Sequence, residues 1–487
     1  MSDRDLAEVL KLVEQIQPAL QRGDRITLND IIRQLVAAHA PMGDQWEQLA
    51  QIAAGNGEHR LAMLAIDLFV DYWGGRPSAQ FKKAAFLTLL NNWRDADVLF
   101  QTVPENVPDP VSNIYRKGSA ALNLGRIDEA RALFERLIRM RPTMGFAWSS
   151  LAMTVDFSRE PELAERLIAN AATADTGPLL QRIPYRYALG KAHADRGEHA
   201  LAFEAFASGA RLTRSTVDYD IQADRAAATR ATEGYTADRI AALTSQQTEA
   251  TGRTIFVTGL PRSGTTLVEQ ILTSHSAVSD GGETARLFLL ADEVSGTDWH
   301  ALARHVDAKG IASPARLWDY WLDELYPASG RIVDKTLEAS RFLGLAAGLL
   351  PEAPLIWMTR DPLDCAWSCF RTSFAGTAIA WSNDLAEIAA HFRLEDELLA
   401  RWQELLGDRL LVLPYEALVT DPATWIPRLL AHCGLLAEPQ VFVPHENRRP
   451  VMTASMVQVR QPINRTAIGA AEPYREFLQP FIDAYYG

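Results

Sequence analysis

With 487 residues, 48% hydrophobic and 22% charged, the chain is long enough for two or more domains with their own cores, which excludes disorder as its dominant state. A formal net charge of −13 argues against general nucleic-acid or acidic-membrane binding and leaves room for a local basic pocket. No apolar run approaches the ~18–20 residues of a spanning helix, the charged amphipathic start lacks a signal-peptide core, and three cysteines fit a reducing, cytoplasmic setting.

The first half repeats. Ala62, Ala96, Ala130 and Ala164 recur at intervals of 34, each followed four residues later by Ile66, Phe100, Phe134 or Ile168. A further copy follows at Ala202 and Phe206, and counting back from Ala62 reaches Leu28, with Ile32 and Leu35 in phase, as a degenerate first unit. Small residues such as Gly118 and Ala121 suit the close approach of two helices, and Gly57, Gly125 and Gly197 suit the turns between them. The pattern predicts stacked helical hairpins over 1–245, and its period resembles the tetratricopeptide repeat. Such arrays hold a peptide or protein in their groove, or serve as scaffold or homodimer surface; no residue in the repeats displays a site that chooses between these.

After a linker the texture changes. Thr254–Thr258 is a β-branched, apolar run suited to a buried strand, followed by a glycine loop, Gly259-Leu-Pro-Arg-Ser-Gly264, and then by helical periodicity over Thr265–Thr273. Strand, loop and helix start form a phosphate cradle, in which backbone N–H groups and the helix dipole face an anion. A nucleotide-triphosphate loop carries lysine where Thr265 stands, so a kinase or ATPase is disfavoured and Arg262 is the positive charge within the loop. A second strand, Leu355–Thr359, ends in Arg360-Asp361-Pro362, with Ser368 eight residues beyond the arginine; a guanidinium at a strand's carboxyl end suits bidentate phosphate recognition. Arg409–Pro414 reads as a further strand, and Asn383–Leu406 as a core-facing helix.

From Arg253 to Gly487 the chain resembles sulfotransferases that use 3′-phosphoadenosine-5′-phosphosulfate (PAPS), above all bacterial tetratricopeptide–sulfotransferase fusions and, in motif detail, protein-tyrosine sulfotransferases. The fold class expected from both halves is an N-terminal α-solenoid followed, over 251–487, by a P-loop-like α/β domain with a parallel sheet. The resemblance implies that Pro261, Arg262, Ser263, Gly264, Thr265 and Thr266 bind the 5′-phosphosulfate, and that Arg360 and Ser368 bind the 3′-phosphate. The family's second arginine position is Thr372 here, with Arg371 adjacent. Glu283, in a Gly-Glu-Thr-x-Arg context, matches the catalytic base, with His275 as the rival. Lys335, ending a strand in RIVDK, matches the lysine on the leaving oxygen. Ser455 matches a serine near the sulfonate, while the family's nearby lysine position is Gln461 and Arg460 is shifted by one as the basic cofactor contact.

The expected reaction is in-line displacement at sulfur, with Glu283 as base, Arg262, Lys335 and Ser455 stabilising charge, and 3′,5′-adenosine bisphosphate (PAP) leaving. No metal is expected: the ten histidines do not cluster, and Cys365 and Cys369 lie one helical turn apart without a second pair. Peptide tyrosine is the acceptor the resemblance implies; carbohydrate, lipid and small-molecule hydroxyls stay open. The alternative function is a repeat-based interaction scaffold with an inactive nucleotide-binding domain.

Overall fold

The computed structural model describes residues 3–487 except 285, 328, 337, 375, 377 and 454. The first half is a run of helical hairpins: α1 (Asp3–Arg22) with α2 (Arg25–Ala37), α3 (Gln45–Gly55) with α4 (His59–Tyr72), α5 (Pro77–Leu89) with α6 (Trp93–Thr102), α7 (Pro110–Asn123) with α8 (Ile127–Met140), and α9 (Gly145–Ala152) with α10 (Pro161–Ala169). After the short α11 (Ala171–Ala174), α12 (Leu179–Asp195) pairs with α13 (His199–Arg214). The periodic alanines sit on the second helix of each hairpin and are fully buried, because there the partner helix leaves no room for a larger side chain. A Cβ on Gly118 would stand 2.8 Å from the Phe134 ring, and one on Gly190 would stand 2.6 Å from Phe206.

The turns share one conformation. Gly23, Gly57, Asn91, Gly125 and Gly197 all have positive φ, and the first four are spaced by 34 residues. Asn91, at φ 59°, takes the glycine position in the third hairpin, since its short polar side chain tolerates the left-handed region. The fifth hairpin turns without a left-handed residue.

Helices α14 (Ile221–Thr232) and α15 (Ala237–Thr244) lead into a five-stranded parallel sheet. Its strands are β1 (Thr254–Gly259), β2 (Val278–Asp280), β3 (Arg331–Asp334), β4 (Leu355–Thr359) and β5 (Leu410–Pro414), in the order β2-β3-β1-β4-β5. Phe256 enters one core with Trp318 and Leu345, while Ile255 and Val257 enter another with Ile271 and Leu429, so both faces of β1 are covered. The chain leaves β1 toward β2 and β3 on one side, then crosses to β4 and β5 on the other. That reversal beside β1 opens the crevice where ligands bind in α/β sheets.

The covering helices are α16 (Thr265–Thr273), α17 (Arg286–Val294), α18 (Trp299–Lys309), α19 (Ala312–Asp323), α20 (Leu343–Leu349), α21 (Pro362–Phe370), α22 (Leu385–Leu406), α23 (Tyr415–Thr420), α24 (Pro422–His432) and α25 (Gln479–Tyr486). None of the described helices is long and apolar enough to cross a membrane.

The array meets the sheet domain through its intra-hairpin turns. Arg25 pairs with Glu293 at 3.0 Å, and Glu58 accepts a hydrogen bond from Tyr320 at 2.6 Å. A Cβ on Gly57 would collide with Trp321, and one on Gly282 would stand 3.1 Å from Nδ2 of Asn91. The Asn123 carbonyl accepts hydrogen bonds from the Val451 N–H and from Arg460. Phe203 stacks on Phe477 with ring centroids 4.9 Å apart.

Candidate active site

The loop between β1 and α16 is shaped by two glycines. Gly259, at φ 136°, passes so close to β4 that a Cβ would stand 2.5 Å from the Met358 carbonyl. Gly264, at φ 105°, lies under the Tyr415 ring, 2.6 Å from where its Cβ would be. The Pro261 carbonyl accepts hydrogen bonds from the thiols of Cys365 and Cys369 at 3.4 and 3.2 Å, so these buried cysteines fasten the loop to α21. Helix α16 then starts at Thr265, with its first N–H groups lacking intrahelical partners. The Ser263 hydroxyl is buried and meets no partner among the described residues.

Arg262 stands in the left-handed region at φ 71°. Its Nε donates to Ser368 at 3.0 Å, Nη1 to Ser455 at 2.5 Å and Nη2 to Gln458 at 3.2 Å. Arg360, just beyond β4, donates from Nη1 to the Arg262 carbonyl at 2.9 Å and from Nη2 to the Ala467 carbonyl at 2.5 Å. Its guanidinium lies 5.0 Å from the centroid of the Tyr415 ring, and its buried Nε has no partner among the described residues. The neighbouring Glu416 accepts from the Asp361 N–H at 2.9 Å, so Tyr415-Glu416 grips the end of β4.

Arg262, Arg360 and Arg371 have no carboxylate within 4.0 Å among the described residues. Burial, then repulsion from Arg371 and Arg360, pulls the Arg262 guanidinium down to about 10. Burial likewise pulls Arg371 down, with Arg360 adding repulsion against an opposing contribution from Tyr474. Uncompensated positive charge in a cleft of an acidic chain is the electrostatic form of an anion site. The cleft is lined by Arg262, Thr265, Thr266, Arg360, Tyr415 and Ser455, among others.

Glu283 and Lys335 stand apart from that lining and pair with each other. Lys335 follows β3 directly and donates its backbone N–H to the Gly282 carbonyl, which brings the two loops together. Burial disfavours its ammonium, but the carboxylates of Glu269 and Glu283 outweigh that and raise it overall. Glu283 keeps 39% of its side-chain surface exposed, whereas Lys335 keeps 3%.

Arg460 departs from the expectation. Its Nη2 donates to the carbonyls of Asn123 and Arg449, and its guanidinium rests on Gly125 of the array, so it is spent on the repeat turn and does not reach the loop. His275 bonds the Leu436 carbonyl through Nε2 and accepts from the Ala277 N–H through Nδ1, a structural histidine behind α16. Among the described residues no group of three or more His, Cys, Asp or Glu could hold a metal ion.

Residues 254–439 match the sulfotransferase family, and residues 111–144 match the tetratricopeptide repeat. An uncharacterized protein of Aquifex aeolicus is 26% identical over 421 residues, which are 84% of this chain and 54% of that protein. The chain thus spans about half the length of the curated relative it matches. Among solved structures, similarity extends to the sulfotransferase domain of the Synechococcus PCC 7002 olefin synthase, at 19% identity over 47% of this chain and 97% of that one, with a TM-score of 0.33. Sulfotransferase STF9 from Mycobacterium avium is 15% identical over 65% of this chain and 96% of its own, with a TM-score of 0.27.

The C-terminal domain also uses residues that its motifs do not mark. Gln458 supplies the third acceptor for Arg262, Thr453 bonds Thr266 at 3.2 Å between hydroxyls, and Arg449 ties Glu269 to Asp280.

Proposed function

We propose that this chain moves a sulfuryl group from PAPS to an acceptor hydroxyl, with peptide tyrosine as the acceptor and Glu283 as the base. The observation that carries the reading is the pair Arg262 and Arg360, which line a cleft at the glycine loop with no carboxylate within 4.0 Å among the described residues. The residues fit such a donor: among the described residues, a buried Ser263 hydroxyl and a buried Arg360 Nε both lack partners beside the loop. Residues 261–266 would hold the 5′ end, and Arg360, Ser368 and Arg371 the 3′-phosphate. When bound, PAPS supplies an electrophilic sulfur with a nucleotide phosphate as its leaving group.

The chain's own residues divide the remaining work. Lys335 pairs with Glu283 and so orients the carboxylate that would accept the hydroxyl proton. Arg262 and Ser455, already hydrogen-bonded to each other, offer positive charge and a hydroxyl to the oxygens of the transferred group. Phe288, on α17 five residues beyond Glu283, is partly exposed and packs on Phe342 at 4.7 Å, an aromatic surface that suits a tyrosine ring. In this reading residues 1–245 form the array that presents the peptide, residues 251–487 form the transferase, and the free cysteines fit the cytoplasm.

Calorimetric titration of PAP against ATP tests it. PAP should bind without magnesium and more tightly than ATP; tighter binding of ATP with magnesium would overturn the reading.

A further inference from the structure

We infer that the repeat array is part of the donor site: the turn Asn123–Gly125 sets the position of Arg262 by holding the segment 449–460. The inference rests on the donor-binding reading of Arg262. Two of the three acceptors on its guanidinium, Ser455 and Gln458, come from that segment. Among its described residues the segment has one helical turn, Gln458–Arg460, and short backbone turns such as Met456 N–H to the Thr453 carbonyl, and no strand or longer helix.

The array supplies the support. Asn123 is the last residue of α7, where carbonyls lack intrahelical partners and the helix dipole is negative. Its carbonyl accepts from the Val451 N–H at 3.1 Å and from Arg460 Nη2 at 3.0 Å, so a cation and a backbone donor complete the helix end. Val451, Met456 and Val459 are buried in one cluster with Ile114, Leu122 and Trp148 of the array. On its other side the segment meets α16, through Thr453 and Thr266. It is therefore a strut with the repeat turn at one side and the glycine loop at the other.

Gly125 is required twice over. Its φ of 80° favours glycine, and a Cβ there would stand 2.6 Å from Cζ of Arg460. Gly197 occupies the equivalent turn of the last hairpin at φ 73° with nothing within 4 Å of a Cβ, so it carries the same backbone strain without the contact. That difference separates a role in the donor site from a role in folding the array.

The experiment titrates PAP into the full-length chain and its variants Arg460→Met, Arg460→Lys, Gly125→Ala and Gly197→Ala. Arg460→Met and Gly125→Ala should weaken PAP binding by about tenfold, the scale of one lost charge-assisted hydrogen bond. Gly197→Ala should stay within about twofold of the parent, as surface changes do, and Arg460→Lys should recover part of the loss. Parental affinity in Arg460→Met, or equal losses in Gly125→Ala and Gly197→Ala, overturns the inference while the donor reading stands. A parent chain that binds no PAP overturns both.

Discussion

Arg360 donates a hydrogen bond from Nη1 to the backbone carbonyl of Arg262 at 2.9 Å, so the arginine at the end of β4 holds the loop arginine by its main chain. Arg262 needs that hold, because a left-handed non-glycine residue costs on the order of 1–2 kcal/mol. A hydrogen bond from a charged donor contributes about 1.5–3 kcal/mol, enough to offset the strain. Arg360→Met should therefore lose the proposed phosphate contact and loosen Arg262 as well, weakening PAP binding by about a hundredfold or more. Arg360→Lys should not restore it, since lysine has neither the planar fork that spans the Arg262 and Ala467 carbonyls nor the stack on Tyr415. Calorimetry on both variants checks this, and parental affinity in the lysine variant counts against it.

Glu283 separates binding from chemistry. It pairs with Lys335 and does not line the cleft that holds Arg262 and Arg360. Glu283→Gln keeps the shape and removes the proposed base, so turnover should fall by roughly 10²–10⁴-fold while PAP affinity stays at the parental value. Radiolabelled sulfuryl transfer beside PAP titration reads the two quantities separately. Turnover that survives the substitution takes the base role away from Glu283.

The depressed Arg262 guanidinium predicts a pH dependence with a definite sign. Its value of about 10 lies below that of free arginine because its charge is buried beside two other arginines. In the free protein this charge costs stability at neutral pH, and the cost is relieved as pH rises through about 10. A bound bisphosphate favours the charged form, so PAP should raise the melting temperature most at neutral pH and progressively less as pH approaches 10. An equal shift at pH ~7 and pH ~10 would mean that the Arg262 charge is not used in binding.

What the sequence discloses is local. The strand–glycine–helix order around Gly259 and Gly264 is a contiguous pattern, and the 34-residue spacing marks the alanines where helices touch. Gln458 and Arg460 are illegible by the same logic, because each acts on a residue far along the chain: Gln458 on Arg262, and Arg460 on Asn123. The position of Arg460 beside a motif points to the nucleotide; its path across the array points elsewhere. Asn91 is hidden for a different reason. A search for turn glycines passes over the one hairpin where asparagine adopts the same left-handed backbone, at the turn facing Gly282. Arg371 sits one position away from the family's arginine and still contributes charge to Arg262, since repulsion between guanidinium groups needs proximity more than register.

Arg449 gives the last prediction, on stability. It donates to Glu269 at 2.8 Å, to Asp280 at 2.5 Å and to Gln270 at 2.8 Å, joining α16 to the end of β2 behind the glycine loop. Glu269 is 1% exposed, and one of its carboxylate oxygens meets no partner among the described residues. Burial pushes its carboxyl up, against the pull of Lys335 and Arg449. Arg449→Met removes one of those two cations and leaves a buried carboxylate short of charge, which should cost about 3–5 kcal/mol. The sign with pH follows from the raised carboxyl: the protonated form is the one the folded state favours, so the loss is greatest at neutral pH and shrinks as pH falls through the raised value. Urea unfolding midpoints of the parent and the variant at neutral and mildly acidic pH measure both effects. A pH-independent loss would place the cost in side-chain packing and not in the stranded carboxylate, and adding Glu269→Gln to Arg449→Met should then recover nothing.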